Sequence, residues 1–168
     1  VFNDNGSGGG TAGNGRQEGS EAGTAAGGLY ALLVNGSGDL VASAGVSPSD
    51  GTFSLSGVAD GSYRLRLATS PGTPASPAPA AGLPLGWVST GESLDGSADT
   101  SLAVTVSGSA VTGLHFGIRQ VADLLVHKNG PETVAGGGTL RYTVQAGNLG
   151  PAAADGALIT DGAPAGIS

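Results

Sequence analysis

Apolar and polar residues alternate with a period of two along most of this chain. In residues 62–67 (SYRLRL), Tyr63, Leu65 and Leu67 share one face and Arg64 and Arg66 the other, as in a strand with one face buried and one in water. The same alternation groups Phe53 with Leu55, Leu102 with Val104 and Val106, Leu114 with Phe116 and Ile118, and Leu140 with Tyr142, Val144 and Ala146. Residues 29–34 (LYALLV) are continuously apolar, as a strand covered on both faces would be. Between the runs stand Asn35-Gly36, Asp50-Gly51, Asp60-Gly61 and Gly108, residues that take the positive φ of tight turns at little cost. No segment combines a helical period with caps. The pattern predicts an all-β protein whose two-sheet core contains Phe53, Leu55, Tyr63, Leu65, Leu67, Leu102, Val104 and Val106, with Arg64 and Arg66 exposed.

Two stretches interrupt the alternation. Residues 71–84 (PGTPASPAPAAGLP) are too rich in proline to pair regularly in a sheet and read as an exposed excursion. After residues 119–121 a new strand begins without a glycine turn, which places a domain boundary there: residues 1–120 form one domain and residues 121–168 a second. The expected strands of the second, at 122–128, 139–146 and 157–160, have apolar faces that three strands cannot cover by themselves. Further strands must complete them, either later in the same polypeptide or donated by a neighbouring subunit in a homopolymer.

Composition narrows the function classes. The 33 glycines and 9 prolines make up a quarter of the 168 residues, yet hydrophobic residues stand at 39%, which fits many turns around a real core. With 6 Lys+Arg against 13 Asp+Glu and a net charge of -7, no basic surface exists to neutralise phosphates, so a nucleic-acid partner is not expected. Cysteine is absent, which excludes disulfides and thiolate-bound zinc. No apolar run nears the roughly 20 residues of a membrane helix. A chain that lacks methionine and opens on the strand-like Val1-Phe2 reads as a processed or partial piece of something longer, with any export signal already removed.

Candidate chemistry is concentrated in the opening stretch, VFNDNGSGGGTAGNGRQEGSEAG. A phosphate loop is excluded, because no lysine, no helical pattern and no βαβ unit follows the glycines. The acidic and amide residues fit better. Asn14, Gly15, Glu18 and Glu21 have the spacing of the second half of a calcium loop, with Asp4 and Asn5 available for the first half and the Arg16 carbonyl and water to complete the shell. The inserted residues 6–13 separate the halves, and a solvated glycine-rich linker remains the alternative. Catalysis finds no comparable signal: His115 and His127 lie inside strand patterns, no serine has an elbow motif, and Glu92, Asp95 and Asp99 fit a turn as well as a carboxylate pair. The sole tryptophan, Trp87, is expected in the core. Residues 1–120 contain no lysine, so an internal lysine–asparagine cross-link is impossible there.

The run Val1-Phe2-Asn3-Asp4-Asn5, with Asn14-Gly15 through Glu18, Glu21-Ala22-Gly23, Pro48 through Phe53, Val58 through Tyr63 and Thr112 through Gly117, resembles the SdrD-type B domain of bacterial surface adhesins. That resemblance implies a prealbumin-type, Cna-B-like β-sandwich over residues 1–120 that binds calcium through Asp4, Asn5, Asn14, Glu18 and Glu21. The second part, with Ala122-Asp123-Leu124, Lys128, Gly130-Pro131, Tyr142-Thr143-Val144, Asn148 through Pro151, Ile159-Thr160-Asp161 and Pro164-Ala165-Gly166, is similar to the first half of a conserved-repeat immunoglobulin-like domain of surface proteins. Together they imply a non-enzymatic stalk or filament module on the outside of a bacterial cell, partnered by neighbouring domains or subunits of the same protein. The alternative is a ligand-binding adhesin domain that uses residues 71–84 and Trp87.

Overall fold

A computed structural model describes residues 1–94 and 96–162. It is an all-β structure, and the chain divides into two compact units, Val1–Gln120 and a second from Val121 onward.

The first unit has seven strands among its described residues: β1 (Phe2–Asn3), β2 (Tyr30–Val34), β3 (Leu40–Gly45), β4 (Gly61–Ala68), β5 (Trp87–Glu92), β6 (Ser101–Val106) and β7 (Phe116–Gln120). One sheet runs β3-β2-β4-β6 and is antiparallel throughout, and the other runs β1-β7-β5. In the second sheet β5 is antiparallel to β7, whereas β1 is parallel to it. The apolar faces meet in a core that includes Ala31 and Leu33 of β2, Leu65 and Leu67 of β4, Leu102 and Val104 of β6, and Phe116 and Ile118 of β7. This is a two-sheet sandwich.

The expected register of β4 holds, with Leu65 and Leu67 buried and Arg64 exposed. Arg66 departs from expectation, because it is half-buried and its Nη2 donates to the Ala78 carbonyl at 3.0 Å. The cause lies in residues 71–84, which are not a free excursion. Leu40 N donates to Ser76 O at 2.9 Å, Ala75 N to Leu40 O at 2.8 Å and Ala78 N to Gly38 O at 3.0 Å, so the segment lies along the outer edge of β3. Ala78 also packs on a second apolar cluster, Leu32, Val34, Leu40 and Ala68. Proline prevents a regular ladder, but the alanines and serine between the prolines keep their N–H groups and are small enough to dock. Continuous apolarity at 29–34 therefore has the expected meaning: β2 is covered on both faces.

Phe53 and Leu55 are half-buried against the core as expected, yet they lie in an irregular segment and not in a strand. The strands β3 and β5 were not foreseen. Their sequences, LVASAG and WVSTGE, dilute alternation with alanine, serine and glycine, so the period carries little signal.

In the second unit, β8 (Leu124–Asn129) pairs antiparallel with β9 (Thr143–Asn148). The Asn148 side chain helps fix the hairpin, its Oδ1 accepting from Asp123 N and Gly150 N, both at 3.0 Å. Lys128 stacks over the Tyr142 ring at 4.1 Å and pairs with Asp161 at 2.8 Å, a half-exposed ion pair worth about 0–1 kcal/mol. Residues 157–160, expected as a strand, form none, and β9 starts at Thr143 instead of 139. With two strands paired among the described residues, Leu124, Val126 and Leu158 are exposed. Asp95 and the segment Pro164-Ala165-Gly166 lie outside the described residues.

Candidate metal centre

Strand β1 delivers Asp4 into the interior. Its backbone N–H continues the pairing by donating to Ile118 O at 2.8 Å, and the residue is fully buried. The carboxylate is then enclosed by the glycine-rich loop that follows: Gly13 N donates to Oδ1 at 2.6 Å and Gly15 N to Oδ2 at 2.7 Å. Gly15 has a φ of 72°, and a Cβ there would press on the Thr90 carbonyl and the Gly91 Cα at 2.9 Å. Only glycine lets this amide approach Asp4 while the loop packs against β5. Burial pushes the Asp4 carboxyl up, but the Thr90 hydroxyl and the amides of Gly15, Gly13 and Asn14 outweigh it and hold the group below its ordinary 3.8.

Glu21 forms a second anchor and is also buried. Its Oε1 accepts from Gly6 N at 2.8 Å and its Oε2 from Glu18 N at 2.9 Å. Glu18 is more peripheral; its Oε2 accepts from Asn14 Nδ2 at 3.0 Å and from Thr11 N at 3.4 Å. The amide oxygens of Asn14 and Asn5 close local turns, accepting from Arg16 N at 2.8 Å and Ser7 N at 3.1 Å.

All five candidate side chains thus belong to one loop, and each directs oxygen at an N–H group. Calcium requires roughly 6 to 8 oxygens converging on one point. Here all four carboxylate oxygens of Asp4 and Glu21 accept backbone amides. No group of three or more acidic or histidine side chains able to hold a metal occurs among the described residues. In this arrangement the carboxylates act as latches for the loop backbone, and a calcium ion would have to use their remaining lone pairs or displace these amides. A self-latched loop should melt at the same temperature in millimolar calcium and in excess chelator. A rise of several degrees on adding calcium would show instead that a cation displaces these amides, as the resemblance implies.

The other candidates serve the fold. Glu92, buried at the end of β5, accepts from Thr100 N at 2.7 Å and Ser89 Oγ at 3.0 Å, tying down the turn that leads to β6. Asp99 caps Ser101 N at 2.9 Å. Trp87 is half-buried against the core. His115 and His127 are exposed. A further feature was not foreseen: a cavity of about 820 Å³ between residues 50–58 and 108–115, lined also by Leu33, Leu65 and Val104.

Among known protein families, curated proteins and solved structures, none matches the chain. Its class is therefore set by architecture alone, as an all-β protein with a two-sheet sandwich followed by a smaller unit built on a β-hairpin.

Proposed function

We propose that the chain is a mechanical spacer, a stalk or filament module of an extracellular bacterial surface protein, with no catalytic role. The observation that supports this reading most directly is the parallel pairing of the first and last strands of the first unit. Phe2 faces Gly117 and Asn3 faces Ile118, so tension that pulls β1 and β7 apart by their outer ends shears every bond between them at once. An antiparallel pair pulled from one end would instead open bond by bond. The docking of residues 71–84 along β3 and the packing of Trp87 on the core favour this reading over a contact surface built from those residues. In the second unit, strands from the same polypeptide or from an adjoining subunit would cover the open faces of β8 and β9.

Force spectroscopy tests the proposal, and a chain without native cysteine accepts engineered thiol handles cleanly. Pulling through residues 1 and 120 should require clearly more force than pulling through residues 61 and 106, the facing ends of β4 and β6, which unzips that pair. Equal or lower force through 1 and 120 would remove the mechanical reading.

A further inference from the structure

The two sheets of the first unit end in four edges, and three of these are closed to a further strand. Residues 75–78 lie along the outer side of β3, with Leu40 N donating to Ser76 O at 2.9 Å. Residues 22–24 flank β1, Asn3 N donating to Ala22 O at 2.9 Å and Thr24 N to Val1 O at 3.1 Å. A register shift between Ser89 and Gly91 breaks β5, a bulge of the kind that keeps an edge from accepting a partner. β6 has no such protection. Its 6 residues, SLAVTV, hold an unbroken register with β4 and include no proline and no charge.

The direction of its free groups follows from the ladder. Leu67 N donates to Thr100 O at 3.0 Å, and the register pairs Leu65 with Leu102 and Tyr63 with Val104. Backbone groups alternate in direction along a strand, so those of Leu102, Val104 and Val106 bond to β4, while those of Ser101, Ala103 and Thr105 point away from it. Ser101 N is already taken by Asp99 Oδ1 at 2.9 Å. The N–H and C=O groups of Ala103 and Thr105 meet no partner among the described residues, and both side chains are exposed. Residues 101–118 hold no Asp, Glu, Lys or Arg, in a chain whose net charge is -7. A second copy, which carries the same excess of acid, approaches with least repulsion along such a strip, whereas a basic partner would gain nothing from it.

We propose that β6 is a lateral contact surface between two copies of this chain, which pair antiparallel through it and join their four-stranded sheets into one. With Val104 facing Val104 of the second copy, Ala103 falls opposite Thr105, and the two residues exchange both hydrogen bonds on either side of the centre. Every free group of Ala103 and Thr105 is then met, and the Asp99 cap on Ser101 stays in place. A register centred on Ala103 would instead set Thr105 against Ser101, whose N–H is occupied. The first register also sets Ser101 opposite Ser107 of the second copy. At the Ser101 end Arg64 Nη1 donates to Ser101 Oγ at 3.1 Å and offsets Asp99. Asp60, which accepts from Gly108 N at 2.7 Å at the other end, therefore meets no excess of like charge. One pair of strands buries well under the roughly 1,600 Å² of a standard interface, so the association is weak and counts where copies stand side by side. It does not depend on the mechanical reading.

Protein concentration is the variable that tests this. In the unaltered chain the Ala103 and Thr105 amides should exchange about tenfold more slowly once the concentration exceeds the dissociation constant by about the same factor. The mass in sedimentation equilibrium should rise with it, from 15.9 kDa towards twice that value. Ala103→Pro should hold the mass at the monomer value and leave the Thr105 amide fast at every concentration, because the ring occupies the free edge. The N–H that proline removes bonds nothing within the unit, so this variant should melt within a few degrees of the parent in dilute solution. Ala103→Ser keeps the N–H and should associate as the parent does. A monomer mass up to millimolar protein overturns the proposal, as does a dimer that survives Ala103→Pro or that leaves the Ala103 and Thr105 amides unprotected. Should Ala103→Pro fail to fold, exchange at those two amides in the unaltered chain decides the matter alone.

Discussion

Replacing Asp4 with alanine should destabilise the first unit by about 2–5 kcal/mol, because the part-buried amides of Gly13 and Gly15 lose a charged acceptor, each such bond contributing roughly 1.5–3 kcal/mol. The loss would also detach the loop from β5, where Gly15 closes against Thr90 and Gly91. Urea denaturation followed by the fluorescence of Trp87, the only tryptophan, reports on this unit directly. Asp4→Asn retains one acceptor oxygen and should cost less than Asp4→Ala. The pH dependence has a definite sign. The folded-state pKa of Asp4 is depressed below 3.8, so its contribution is fully present above that value and is lost as pH falls through the folded pKa. The Asp4→Ala variant should accordingly show a shallower acid loss than the parent. A change under 0.5 kcal/mol at neutral pH would mean that the latch carries no weight.

Phe116→Ala should have a comparable effect, about 3–5 kcal/mol. Phe116 is fully buried near the start of the central strand of its sheet, and its ring meets Phe53 at 6.4 Å between centroids, tilted by 50°. Truncation removes an aromatic pair and leaves a void between two sheets whose other core side chains keep them apart. Leu85→Ala is the matched control: Leu85 is fully exposed, and its loss should stay within about 0.5 kcal/mol. Equal effects of the two substitutions would show that the core is not where the structure places it.

Much of the first unit was legible where a side chain's period carried the information. Residues 62–67 revealed both the strand and its inward face, and residues 29–34 revealed cover on two sides. The alternation could not show what supplied the second cover, since nothing in Ala75, Ser76 and Ala78 marks them as partners for Leu40. Arg66 was misplaced for the same reason. In the loop, sequence pointed to Asp4 and Glu21 as oxygen donors that matter, and both are buried. It could not distinguish an oxygen that meets a cation from one that meets an N–H, because the donors here are backbone amides of glycines and Glu18, which leave no side-chain signature. The cavity at 50–58 and 108–115 escaped notice because Phe53, Leu55 and Leu114 read as members of paired strands, and their side chains do pack inward.

The parallel contact between β1 and β7 also fixes when the first unit can become whole. Phe2 and Gly117 lie at nearly opposite ends of the 120-residue unit, so β1, which emerges first, has no partner strand until the last one has been made. At roughly 5–20 residues per second of synthesis, that wait is on the order of ten seconds. During it the sheet of β2, β3 and β4 can assemble from neighbours in sequence, while Leu33 and Leu65 lack the facing layer that β7 supplies. Until β7 is made, any sheet that β2, β3 and β4 form has an open apolar face, and a factor that shields nascent chains would find its longest opportunity there.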